Sequence, residues 1–171
     1  FYFAVKAFDS GRFSHWDLLA GLAAGLTAST KYNGASILVA PALVVFFFFV
    51  NELRVPAAER RIWPALWRLS WRWILLWVMF FIGFASGTPY AVIDWQGFSS
   101  DFVWNLDHYS EGHAGAMGTG NWWFYISYLA RQGMGFGQFG LALIGMVALA
   151  WGRRQKDALY LVFLGLYFYE I

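Results

Sequence analysis

Fourteen nearly unbroken apolar residues, Ile74–Gly87 (ILLWVMFFIGFASG), run straight into a polar, acidic and histidine-bearing stretch from Thr88 to about Gln132, after which apolar sequence resumes. Such a run reads as membrane helix, and the polar stretch as one large loop outside the bilayer. The composition agrees, since 60% of the 171 residues are hydrophobic, 22% aromatic and 13% charged, well outside the usual soluble mixture. The loop is then where chemistry on a water-soluble group would be done.

About 20 apolar residues cross a bilayer, fewer where polar flanks reach the headgroups or neighbouring helices shield the segment. The pattern predicts an all-α fold, a polytopic transmembrane helical bundle with an outer-face interfacial helix and loop. Residues 1–171 form part of one transmembrane domain, with spans at about 17–30, 34–50, 71–87, 136–151 and 158–171. A cytoplasmic loop at 51–70 and an outer loop at 88–132 connect them. Within the first span, Ala20, Ala24 and Ala28 recur with Gly21 and Gly25, a spacing that lets helix backbones approach closely in lipid. A packed helix is the plain reading of it, and a re-entrant element the alternative.

The chain opens on Phe1 and stops inside the apolar run Leu159–Tyr169, so it is expected to be a piece of a longer protein. Zero cysteines exclude disulfides and thiolate metal sites. A net charge of +2 without a basic cluster among exposed aromatics argues against a nucleic-acid partner. No cleavable signal-peptide pattern is present.

Orientation follows from the cations, because short cytoplasmic loops collect Lys and Arg. Arg54, Arg60, Arg61, Arg68 and Arg72, then Arg153, Arg154 and Lys156, then Lys6 and Arg12 put ten of the twelve basic residues on one side. The 88–132 loop carries only Arg131 against Asp94, Asp101, Asp107 and Glu111, and with the turn at Ser29–Asn33 it is expected to face outward. These features describe an integral, multi-pass protein of the plasma (inner) membrane, with the lipid bilayer as its first partner.

Inside the outer loop, Gly97–Gly112 reads as an amphipathic helix, with Phe98, Phe102, Leu106 and Tyr109 on one stripe and Asp101, Asn105 and His108 on another face. Such a helix is expected to lie at the membrane surface, its apolar stripe in the headgroup boundary. Glu111–Asn121 holds four glycines and reads as a flexible or tightly turned loop. Trp122, Trp123, Tyr125 and Tyr128 resemble an interfacial aromatic belt.

The chemically capable side chains gather in this loop. His108, Glu111 and His113 offer two imidazoles and a carboxylate to a divalent metal such as zinc or manganese, if the chain bends at Gly112. Solvated interfacial histidines are the competing reading. Asp94, Asp101 and Asp107 could bind an acceptor or act as a base, where an exposed acidic loop is more often merely solvated. Lys31, at the outer end of a span, could hold a lipid-linked phosphate as it departs, or snorkel to the interface. Arg131 is a second candidate phosphate partner. The glycine-rich Gln132–Gly140 follows no strand, so it reads as helix entry and not as a nucleotide loop.

LLAGLAAGLTASTKYNGASILVAPALVVF, Leu18–Phe46, resembles the G-x-x-x-G-L-x-x-x-T-K-Y stretch of polyprenol-phosphate-dependent glycosyltransferases. These form the broad GT-C group, which includes family 39 protein mannosyltransferases and lipid A aminoarabinose transferases. GTPYAVIDWQGFSSDFVWNLDHYSEGHAG, Gly87–Gly115, is similar to the segment in which a Pro-Tyr pair precedes an outer interfacial helix and a loop near the donor. The resemblance implies a GT-C-like enzyme that takes a sugar from a polyprenyl phosphate and transfers it to an acceptor hydroxyl at the outer face. It implies donor-phosphate contacts from Lys31, Tyr32 and Arg131, and an outer-loop pocket of Asp94, Asp101, Asp107, His108, Tyr109, Glu111 and His113, with a possible divalent metal. The family's acidic catalytic residue, commonly an Asp in the first outer loop, has no matching position here. The rival class is non-enzymatic, either a membrane assembly subunit or a transporter segment. Against a transporter, the charges fall at span ends and no internal repeat is evident.

Overall fold

A computed structural model describes residues 1–55, 62–110, 121–152 and 154–169. Helix α1 (Tyr2–Asp9) turns into α2 (His15–Thr30), and a 3₁₀ segment (Tyr32–Leu38) leads into α3 (Val39–Leu53). Helix α4 (Ile62–Gly87) is followed by the short α5 (Tyr90–Ile93) and by α6 (Trp95–Ser110). Helix α7 (Asn121–Tyr128) passes through a π-helical turn (Leu129–Gly133) into α8 (Gly135–Gly152), and α9 (Gln155–Tyr169) comes last. No strand occurs among the described residues.

Three of the described helices are long and apolar enough to cross a membrane: Gly34–Leu53 with 20 residues, α4 with 26 and α8 with 18, at mean hydropathies of 2.2, 1.5 and 1.5. The chain is therefore a membrane protein. The predicted spans at 17–30 and 158–171 fall on α2 and α9, which have 16 and 15 residues. The segment 62–70, read as the end of a loop, belongs to α4 instead. Leu66 and Leu69 continue the apolar pattern, Arg68 is a good helix former, and Pro64 sits in the first turn where its missing N–H is harmless.

Helix α2 starts where its sequence says it should. The Ser14 backbone N–H donates to Asp17 Oδ2 at 2.8 Å and the Ser14 hydroxyl at 3.2 Å, which closes a capping box on the first turn. One face of α2 is nearly all glycine and alanine, and α4 lies directly on it. A Cβ on Gly21 would stand 2.8 Å from the Leu76 carbonyl oxygen, and Cβ atoms on Gly25 and Gly83 would collide with the carbonyls of Phe80 and Leu22. The two backbones touch, so dispersion contacts along the crossing hold the pair together.

Two apolar clusters flank that crossing. Ala4, Ala7, Ala20, Ala40, Val44 and Leu159 join α1, α2, α3 and α9, with Phe3, Trp16 and Phe47 around them. Ala24, Ala28, Leu38, Leu76 and Phe80 join α2, the 3₁₀ segment and α4.

Polar pairs collect at one pole of the bundle. Lys156 Nζ donates to both carboxylate oxygens of Asp9 at 2.7 and 2.8 Å, and Asn51 and Gln155 exchange amide hydrogen bonds of 3.1 and 3.0 Å. Arg68 forks onto Glu52 at 3.0 and 3.1 Å. Arg72 lies over the rings of Phe48 and Phe13, 4.7 and 5.7 Å from their centroids. This basic pole also carries Lys6, Arg12, Arg54 and Arg154. The opposite pole is made by the end of α2, the 3₁₀ segment, the end of α4 and α6.

Candidate functional site

Lys31 terminates α2 by leaving the helical conformation, at φ −152° and ψ 125°. Its N–H still donates to the Thr27 carbonyl at 3.1 Å, while its own carbonyl accepts from Gly34 N–H at 2.7 Å. The chain thus folds back over the last turn of α2, and Gly34 is needed there because a Cβ would come within 2.8 Å of the Thr27 carbonyl oxygen. That turn leaves the Lys31 side chain exposed at the pole and puts Tyr32 beside it, half-buried.

Tyr32 meets α6 edge to face. Its ring centroid is 4.9 Å from that of Phe102, at an interplanar angle of 81°, and 6.2 Å from that of Phe98. Phe98 also contacts Phe84 of α4 at 6.0 Å. Two residues of the stripe predicted for the headgroup boundary, Phe98 and Phe102, thus dock α6 onto the bundle, because Tyr32 and Phe84 offer an aromatic surface at the same level. A different flank of α6, Trp95, Val103 and Leu106, is the exposed apolar one.

The acidic candidates have unequal surroundings. The Asp94 carboxylate accepts the Gly97 N–H at 3.0 Å, and its carbonyl accepts from Phe98 N–H at 3.0 Å, so this residue caps the start of α6. Asp101 and Asp107 are exposed on α6, and Asn105 Nδ2 donates to the Asp101 carbonyl at 2.8 Å. His108 is exposed and stacked parallel on Trp104, with centroids 5.1 Å apart. Tyr109 lies in the last turn of α6, whereas Glu111 and His113 lie outside the described residues. So does the glycine-rich loop in which the bend at Gly112 was expected. Among the described residues no three His, Asp or Glu side chains gather as a metal site.

Arg131 is exposed in the π-helical turn, which packs against α7 and α8. No substantial packing among the described residues joins that turn to α2 or α6, so the structure brings Lys31, Tyr32 and α6 together but does not bring Arg131 to them.

The basic pole holds a constellation that the sequence reading passed over. Asp17 is buried, and it lines a small apolar cleft with Arg72, Phe13, Leu18, Val44 and Leu76. Asp17 and Arg72 attract each other across it. The signal was present in the capping pattern at Ser14 and in an arginine ten residues into a 26-residue apolar helix.

No family model, no curated protein and no solved structure matches this chain.

Proposed function

We infer that the chain belongs to a membrane glycosyltransferase that moves a sugar from a polyprenyl-phosphate donor to an acceptor hydroxyl at the outer face. The observation that carries this reading is the adjacency of an exposed cation, Lys31, to the aromatic surface of Tyr32, Phe98 and Phe102 at one end of the bundle. An amphiphilic donor needs both, an apolar approach for the prenyl chain and a cation at headgroup level for the phosphate. In the reaction the bond between the anomeric carbon and the phosphate oxygen breaks, and the acceptor oxygen bonds to that carbon. The hydroxyl proton passes to a carboxylate base. Lys31 stabilises the departing lipid phosphate, where negative charge accumulates. Asp101 and His108, on another face of α6, are placed to meet the acceptor or sugar. Arg131 serves a second phosphate contact only if the π-helical turn moves toward α2.

The test is transfer of labelled sugar from a polyprenyl-phosphate donor by the full-length protein in membranes. Lys31→Ala should lower the rate by about a hundredfold, the order seen when one preorganised partner of a developing charge is removed. Tyr32→Ala should raise KM for the donor more than it lowers kcat. Absence of transfer with every polyprenyl-phosphate sugar overturns the proposal.

One observation favours an assembly subunit as the second reading: α8 buries no residue against the described chain. In that case Lys31→Ala leaves function intact, and substitutions on α8 abolish assembly.

A further inference from the structure

Helix α4 is longer than a bilayer core. Its 26 residues extend about 39 Å, whereas the hydrocarbon region is about 30 Å thick. Counting about 20 residues back from Gly87, where the polar Thr88–Asp94 segment begins, places the other hydrocarbon boundary near Trp67 and Arg68. The surface chemistry of the helix changes at that depth. Trp63, Trp67 and Trp71 recur at i, i+4 and i+8 and are 81%, 74% and 52% exposed. The same face continues inward as Ile74, Val78 and Phe81, with no further indole. Indole prefers the headgroup region and aliphatic chains the acyl region, so the switch marks a membrane boundary along one face.

The arginines sort by the same depth. Arg68, at the boundary, is exposed and spends two of its five N–H donors on Glu52. Arg72, one turn deeper, is sheltered between Phe48 and Phe13 and faces Asp17. Arg54, at the end of α3, is exposed at the same pole. The acids of this pole do not neutralise it. Asp9 is engaged by Lys156, Glu52 by Arg68, and Asp17 is buried as a helix cap, which leaves Arg12, Arg54 and Arg154 exposed.

We propose that the first turns of α4 form a docking surface for anionic phospholipid headgroups, with Trp63, Trp67 and Trp71 seated at the headgroup–acyl boundary and Arg54 and Arg68 meeting the lipid phosphates. The surface does not depend on the transferase reading, since it uses the opposite pole. It holds α4 at a fixed depth and, through the Arg68–Glu52 fork, carries the end of α3 with it.

The full chain is placed in nanodiscs of phosphatidylcholine mixed with phosphatidylglycerol, and retained lipids are weighed by native mass spectrometry. Phosphatidylglycerol should be enriched about fivefold for each participating arginine. Arg54→Gln should remove one such factor, Arg68→Gln another, and Arg68→Lys should keep it. In parallel, tryptophan fluorescence is quenched with lipids brominated near the headgroup or deep in the chain. Headgroup-proximal bromines should quench the wild type more than a Trp63→Phe, Trp67→Phe, Trp71→Phe variant, which keeps ring packing and apolar area. Equal retention of the two lipids, equal quenching of the two proteins, or a second copy of the chain covering this face would each overturn the proposal.

Discussion

Helices α2 and α8 are both rich in glycine and alanine, yet one is the centre of the bundle and the other buries nothing against the described chain. In α2 the small residues repeat every fourth position on one face, and α4 answers with Gly83 opposite Leu22. Cβ atoms added at Gly21, Gly25 or Gly83 would strike backbone, whereas Cβ atoms at Gly137, Gly140 and Gly145 of α8 would meet open space. Large side chains also surround α8 on every side, including Phe136, Leu141, Ile144, Val147 and Trp151. Small-residue content alone therefore does not make a helix crossing in lipid. What makes it is a continuous small face met by a matching gap on the partner, so that dispersion and close backbone approach replace the hydrophobic effect that lipid removes.

That contrast can be broken most directly at Gly25. Gly25→Leu drives a side chain into the Phe80 carbonyl and should destabilise the bundle by about 3 kcal/mol, read as a lowered melting temperature in micelles. An unchanged melt would mean that α2 and α4 do not cross as described. Asp17→Ala comes next, at about 2 kcal/mol, because it removes the α2 cap and leaves Arg72 beside an apolar cleft without its acid. Arg72→Met in the same background should recover part of that loss, and additive losses would show that the two residues do not interact.

Tyr32→Ala should cost about 1 kcal/mol by removing the edge-to-face contacts with Phe102 and Phe98. The effect should be local, with faster amide exchange in α6 and unchanged exchange in α2 and α3. A smaller effect comes from the exposed Lys156–Asp9 bridge. The hydrogen bond to Asp9 raises the Lys156 pKa, so its stabilisation is present up to the ordinary lysine range and is lost as pH rises through the raised value. The difference in melting temperature between wild type and Lys156→Gln should accordingly persist at neutral pH and vanish in strong alkali. The smallest effect belongs to α8, where Gly145→Leu should change stability by less than about 0.5 kcal/mol. A large loss there would reveal a helix packed against α8 within the intact protein.

Much of the helical layout was readable from periodicity and composition. The apolar run ending at Gly87 closes α4, the predicted interfacial helix 97–112 falls on α6 (Trp95–Ser110), and the small face of the first span is the face on which α4 lies. The start of α4 was read too late because Arg68 and Arg72 resemble loop cations until their partners, Glu52 and the rings of Phe48 and Phe13, are known. Phe98 and Phe102 were assigned to the membrane surface for a similar reason. An amphipathic stripe records that something apolar covers it, and lipid and Tyr32 are equivalent at that level. At the candidate site, the sequence singled out Lys31, Tyr32 and Asp101, but the adjacency of Tyr32 to α6 joins residues about 70 positions apart, which no local pattern encodes.

Sequence by itself determined that this chain is helical and membrane-bound, where its cations and acids divide, and which residues have the chemistry to handle a phosphate or an acceptor. Those properties are set by hydropathy, period and charge, each a sum over neighbouring residues. Only the tertiary structure decided that α2 and α4 share a backbone contact, that Asp17 and Arg72 face one cleft, and that Tyr32 anchors α6 while Arg131 stands apart. Each of these depends on which surfaces meet across the bundle, and in lipid that choice rests on shape, because any apolar face satisfies the solvent equally well.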